Sequence, residues 1–453
     1  GGMYMGILAL LIFVSILIIW SVFLKRNLGE ASLIGFIASS LLGGKEALGL
    51  LANGFSFAAT FSVLYAALAF VFMAYIIDKL GIVEKLLAIL NSMVGKIPGA
   101  PAYMDAMGSV ALGTLSGGDS GNTAATGSIT GPWMLKNKWK KEIAASVMVG
   151  NGGMASVFPP TTSMFIILGF APVAAAVGVG EFYIALFVAS LYQLAHRLLM
   201  IWFFVKKQNI KAFSIEELEP LSSSFKRGWT SILLYIGAII PLALTIGPLG
   251  EKLVSIPSIG EKSLDSIDIV VWIPTLMIAI AFLLGRKNLP KTVPEFMKFV
   301  QASIPRFTTI GALIFFAVAA SEVLTKLGLS NNIAFLIEAA NAPAWLTLLF
   351  IGIGITIIAG PLTSTGTLTA VGLVSYQILI SSGFSPLISA VVVMTFASTS
   401  AQMPPASGSI YIASGIVDAK PEKTFGMLIV LYALPVIIIG WLIGMGILPI
   451  WGG

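Results

Sequence analysis

The chain has 453 residues, of which 57% are hydrophobic and 10% charged, with a formal net charge of +6 and a mean hydropathy of +0.98. A soluble domain carries about 25% charged residues, so this composition excludes a soluble protein and specifies a polytopic membrane protein with apolar runs of spanning length. Cysteine is absent, which excludes disulfides, thiolate metal sites and cysteine nucleophiles. The basic residues fall in short loops between apolar runs, where they act as topology signals and not as a nucleic-acid footprint.

In chain order, residues 6–24 read as a first spanning helix, not a cleavable signal, ending inside at Lys25 and Arg26. A weak second span lies within 31–51, interrupted by Gly43, Gly44, Lys45 and Glu46, and a third covers about 57–77. Residues 83–94 mix charge with apolar spacing and suit a helix lying in the interface. The following stretch is basic at both flanks, with Lys96 before it and Lys136, Lys138, Lys140 and Lys141 after it. A segment that enters and leaves on one side is a re-entrant hairpin, expected over about 98–135 with its tip at 116–123. A broken helix over 142–171, interrupted at 150–160, and a span over about 181–205 complete a first unit, residues 1–207. Residues 208–228 form a polar cytoplasmic linker.

Spans at 229–249, 269–284 and 304–324 and an interfacial helix at 331–340 open a second unit, residues 229–453. A second hairpin follows over about 344–381 with its tip at 360–367. A broken helix over 387–416, interrupted at 398–405, and a last span over 425–448 close it. Each unit therefore has three spans, an interfacial helix, a re-entrant hairpin, a broken helix and a final span, in opposite membrane orientations. The fold expected is an all-α integral membrane protein with an inverted-topology repeat, an architecture common among secondary transporters.

Bare backbone in hydrocarbon survives only where protein covers it or where it lines a polar cavity. The two tips and two breaks are rich in Gly, Ser, Thr and Asn, and each break ends in a proline pair, Pro159-Pro160 and Pro404-Pro405. Helix N-termini there suit an anionic group, and unwound carbonyls with side-chain oxygens suit a hard cation such as sodium. The candidate oxygens are Ser116, Ser120, Asn122, Thr123, Asn151 and Ser156 in the first unit. In the second they are Thr363, Ser364, Thr365, Ser398, Thr399, Ser400 and Gln402. Asp119 is the sharpest single residue, since an intramembrane carboxylate is expensive. Four roles stand open for it: binding a cation, carrying a proton, contacting a solute, or capping a hairpin helix at the cytoplasmic mouth. Glu322 and Glu338 read as wetted outer-end residues. The single histidine, His196, reads with Arg197 as a packing or interface residue. No catalytic motif and no nucleotide-binding sequence occurs, so an enzyme is disfavoured and an ion gradient is the energy source expected.

The stretch from Ser116 through Gly127, Pro132 and Met134, the basic turn 136–141 and Pro159-Pro160 resembles the signature of the large membrane subunit of tripartite ATP-independent periplasmic (TRAP) transporters. Residues 360–374 and 385–424 resemble the second half of the same signature. The resemblance implies an elevator-type component in which a block of hairpins and broken helices slides against a scaffold, similar in fold to sodium-coupled dicarboxylate transporters. It implies sodium at both tips, held by residues from among Ser116, Asp119, Ser120, Asn122, Asn151, Ser156, Thr363, Ser364, Thr399 and Gln402. A small organic acid would lie between them, against Thr123, Thr161, Thr365, Ser400 and Ser407. No transition metal and no organic cofactor is expected. The implied partners are a small membrane subunit, an extracytoplasmic substrate-binding protein and membrane lipid, with the chain in the inner (cytoplasmic) membrane. Asp119 departs from the family's uncharged tip. A stand-alone sodium- or proton-coupled anion symporter or antiporter of the same superfamily is the alternative, and a channel is the reading from another class.

Overall fold

The computed structural model describes residues 4–116, 118–214, 219–245, 247–267, 269–360, 362–404 and 407–452. Among these the chain is helical and contains no strand. A helix pairs its backbone groups within one segment, which is what a lipid-facing chain requires. Among the described residues, four helices are long and apolar enough to cross a membrane: Met5–Phe23, Val179–Gln208, Leu221–Thr245 and Phe425–Gly444. Two further pairs pass that test together while bent, Gly44–Thr60 with Leu64–Lys79 by 49° and Ile310–Lys326 with Leu329–Ala340 by 63°.

The site is built from shorter helices. Two antiparallel arms, Ala100–Ser116 and Asp119–Lys136, form a first hairpin. Ala344–Ala359 and a segment helical from Ser364 to Ser381 form a second. After each comes an interrupted helix. In the first, Lys141–Gly152 tightens into a 3-10 turn, Gly153–Ser156, and restarts at Thr162–Gly169. In the second, Pro386–Ala397 tightens into Ser398–Gln402 and restarts at Gly408–Val417. A 17-residue arm reaches about 25 Å, so these elements meet inside the protein.

The halves are interleaved at this point. The restarted arm Gly408–Val417 packs on Asp119–Lys136 and Lys141–Gly152, elements of the first half. The restarted arm Thr162–Gly169 packs on the second hairpin. A separate apolar core records the exchange, joining Ala106, Met134 and Val147 to Ile410, Val417 and Tyr432. The contact is tight at Gly131, where a Cβ would lie 2.7 Å from Ile416 Cγ2. Away from the site, Ile304–Lys326 packs on Leu28–Leu41 and Ala47–Thr60 to form the centre of the surrounding helices.

Several boundaries differ from the sequence expectation. The span placed within 31–51 is two helices, Leu28–Leu41 and Ala47–Thr60, separated by the Gly44–Glu46 turn. The span placed at 57–77 begins only at Ser62. The linker 208–228 contains a helix, Leu221–Gly228, that leads into the next span, and its residues 215–218 lie outside the described residues. Both tips are narrower than the 116–123 and 360–367 expected, because helix resumes at Asp119 and at Ser364. Hydroxyls explain the first case. Thr123, Thr126 and Thr130 each return a hydrogen bond to the carbonyl four residues back, at 2.8, 3.0 and 3.0 Å, which satisfies polar side chains inside a helix.

Candidate functional site

The first break follows from its sequence. Gly150, Gly152 and Gly153 loosen the helix, and Pro159 and Pro160, joined by a cis bond, offer no donors. Asn122, in the second turn of its hairpin arm, fills the space this opens. Its Nδ2 donates to the Ser109 carbonyl at 3.0 Å and to the Gly152 carbonyl at 3.2 Å. Behind it Asp105 is fully buried, accepting from Thr130 Oγ1 at 2.6 Å and from Asn151 Nδ2 at 2.8 Å. The Oδ1 atoms of Asn122 and Asn151 are buried and have no hydrogen-bond partner. An unpaired acceptor of this kind costs free energy unless something fills it.

The second break is built of neutral groups. Thr399 Oγ1 lies 3.2 Å from Thr356 Oγ1 on the second hairpin, and Ser398 Oγ accepts from Gln193 Nε2 at 3.0 Å. Thr363 caps the restarted hairpin arm by accepting from the Gly366 amide at 3.1 Å. Gln402 reaches across to the Gly150 carbonyl at 3.5 Å, and its Oε1 is buried without a partner. The breaks touch directly here, since a Cβ on Gly153 would overlap the Gln402 side chain.

Between the tips lies a cavity of about 250 Å³. One wall is Asp119, Ser120 and Gly121 of the first tip, and the opposite wall is Thr363, Ser364 and Thr365 of the second. Ser400, Ser407 and Ser409 from the second broken helix close it. Ser400 Oγ donates to Asp119 Oδ2 at 3.1 Å, and the Ser120 and Ser409 hydroxyls approach to 3.5 Å, so the first tip is tied to the second half. Asp119 is 8% exposed and its Oδ1 has no partner. Asp119 is the first residue of its helix, the acidic group of that first turn.

One long helix, Val179–Gln208, holds both breaks. Tyr183 donates to the Pro159 carbonyl at 3.3 Å and Ser190 to the Val157 carbonyl at 2.9 Å. Arg197 Nε donates to the Gly150 carbonyl at 2.8 Å and Nη1 to His196 Nδ1 at 2.7 Å, with its Cζ 5.1 Å from the Tyr432 ring centroid. Arg197 is 1% exposed and its Nη2 is without a partner. It is therefore a buried component of the break, the packing alternative of the two readings given to it with His196. At the rim, Lys141 Nζ pairs with Asp418 at 2.6 Å, joining the start of one broken helix to the end of the other. That lysine holds the Asp418 carboxyl below its ordinary range.

Of the expected site residues, the structure gathers Asp119, Ser120, Thr363, Ser364, Thr365, Ser400 and Ser407 on the cavity. Asn122, Asn151, Ser156, Thr399 and Gln402 lie buried behind it, at the breaks. Thr123 and Thr161, expected against the solute, are engaged elsewhere. Thr123 bonds its own helix, and Thr161 caps the Met164 amide at 3.3 Å. The side chain of Ser116 and the whole of Pro405 lie outside the described residues. Glu322, expected to be wetted, is 17% exposed and 3.6 Å from Lys326. Sequence reasoning missed Asp105, Thr356, Gln193 and Ser409, and the contact of Arg197 with the Gly150 carbonyl. The rule that flagged Asp119 would have flagged Asp105.

Two hairpins and two interrupted helices enclosing a polar cavity, in a chain with spanning helices, define a membrane transporter fold. Residues 5–451 match the family described as tripartite ATP-independent periplasmic transporter, DctM component, and the chain belongs to that family. It is thus a TRAP-type large permease, a transporter component and not an enzyme. It is 22% identical over 201 residues to the 2,3-diketo-L-gulonate TRAP transporter large permease protein YiaN of Escherichia coli, covering 44% of this chain and 43% of that protein. A shorter match, 24% over 97 residues, covers 21% of this chain and 22% of the uncharacterized protein YgiK of Salmonella typhimurium. These matches span less than half the length of those relatives. The fold is similar to the YdaH transporter of Alcanivorax borkumensis, with a TM-score of 0.62 and 16% identity over 89% of this chain and 88% of that one. It is similar also to MtrF of Neisseria gonorrhoeae, with 0.60 and 16% over 91% and 87%.

Proposed function

We propose that the chain carries a small organic acid across the cytoplasmic membrane, coupled to sodium. The supporting observation is the set of buried oxygens without partners at the breaks: Asn122 Oδ1, Asn151 Oδ1 and Gln402 Oε1. Oxygen donors with nothing to accept from fit a hard cation. Asn122 and Asn151, with a share from the Ser156 oxygen, would hold one sodium ion. Thr399, Gln402, Thr363 and Ser364 would hold the second. Asp119 and Ser120 at the first tip and Thr365, Ser400 and Ser407 across the cavity would face the solute. Sodium bound at the breaks would fix the hairpin tips and so complete the solute cavity, which is how the two would be coupled.

In this reading the two halves are inverted repeats, residues 1–207 and 229–453, and the hairpins with both broken helices move as a block against the remaining helices. The small membrane subunit and an extracytoplasmic substrate-binding protein complete the carrier. The likeness to YiaN, named for a sugar acid, supports an acidic solute. The test is uptake of labelled organic acids into proteoliposomes holding this chain with its partner subunits, under an inward sodium gradient. Sodium-driven accumulation is expected. Uptake by this chain alone would select the stand-alone symporter, and ion conduction without saturable uptake would select a channel.

A further inference from the structure

The cavity has one charged side chain on its wall among the described residues, and that charge is negative. Asp119 is over nine-tenths buried, spends Oδ2 on Ser400 and leaves Oδ1 without a partner. No lysine, arginine or histidine lines the cavity with it. Arg197 does not neutralise it, because its donors go to the Gly150 carbonyl and to His196 on the far side of the break. Beside Ser120, the neighbour of Asp119, the same cavity presents the first turn of Gly408–Val417, with Gly408 and Ser409 on the wall. A helix start of that length favours negative charge. The cavity is bipolar: it offers an acceptor for a cation and, close beside it, a donor for an anion.

We infer that the organic acid is a zwitterion, a small amino acid whose ammonium group meets Asp119 and whose carboxylate meets the start of Gly408–Val417. This rests on the carrier reading above and narrows it. A dicarboxylate would set a second negative charge against a buried carboxylate, a repulsion that is large where water is excluded. An ammonium group there would neutralise that carboxylate. The cavity volume of about 250 Å³ suits a solute of this size. Sodium at Asn122 and Asn151 is left undisturbed, because those oxygens lie behind the cavity. Asp119 then sets specificity.

The experiment compares matched acids that differ only in the amino group: alanine with propionate, aspartate with succinate, and glutamate with glutarate. Each is titrated against the purified full-length chain in sodium chloride, read as a shift in thermal midpoint. The aminated member of at least one pair is expected to bind tenfold or more tighter than its partner. In Asp119→Asn that preference falls to about threefold or less, while the stabilisation by sodium alone persists. Equal or tighter binding of the deaminated acids by the unaltered chain overturns the zwitterion and leaves the carrier reading standing. So does an unchanged preference in Asp119→Asn. No response to sodium or to any acid contradicts the carrier reading itself, and this inference with it. The matched pairs on the unaltered chain decide the matter even if Asp119→Asn fails to fold.

Discussion

The two breaks do the same geometric work with different chemistry. The first gathers a fully buried aspartate, two asparagines and, from the long helix, a fully buried arginine around Gly150 and Asn151. The second uses threonine, serine and glutamine hydroxyls and amides around Thr399, and its bond to a carboxylate, from Ser400 to Asp119, reaches across to the first hairpin. A charged network buried in the protein is costly to break, because each partner left behind is unsatisfied. A neutral hydroxyl network tolerates loss better. The first break should therefore be the rigid reference of the site and the second its more forgiving counterpart.

The largest expected effect separates them directly. Asp105→Leu strands Thr130 and Asn151 and should cost about 2–5 kcal/mol, whereas Thr356→Val in the second half should cost about 1 kcal/mol. Thermal midpoints of the two variants in one detergent check the order, and equal losses would erase the distinction. Next is Gly153→Ala, which forces a Cβ into Gln402 where the breaks touch and should cost about 1–3 kcal/mol. Gly354→Ala meets open space and should be neutral or slightly stabilising, which makes it the control. Smaller again is Arg197→Lys. It keeps the charge but loses the planar fork that serves Gly150 and His196 together, so it should lower the midpoint less than Arg197→Leu does.

The smallest effect belongs to the exposed Lys141–Asp418 pair. The Asp418 carboxyl is held low by Lys141, so any contribution it makes is present at neutral pH and is lost as pH falls through the carboxylate range. Lys141→Ala should leave the midpoint at neutral pH within error. A clear loss would show the rim holding the two broken helices together.

Much of this was legible in the sequence because hydrocarbon is a strict solvent. Polar, glycine-rich interruptions in apolar runs marked both hairpins and both broken helices, and the intramembrane carboxylate rule picked out Asp119. What was not legible is which face of a helix turns inward. Tyr183, Ser190, Gln193 and Arg197 recur at spacings of seven, three and four, a polar stripe set within an otherwise apolar spanning run. Nor did composition reveal that Asp119–Lys136 stays helical through its threonines, since that depends on hydrogen bonds to its own carbonyls. The exchange of restarted arms between halves is a tertiary fact that neither pattern nor charge encodes.

The most direct test of the carrier reading is the thermal midpoint of the purified chain across a sodium titration matched with choline, repeated on Asn122→Leu and Thr399→Leu. Sodium should stabilise the unaltered chain while choline does not, and each variant should lose part of that stabilisation. A sodium response equal to that of choline, or full sodium stabilisation surviving in both variants, would contradict the assignment of the breaks as ion sites.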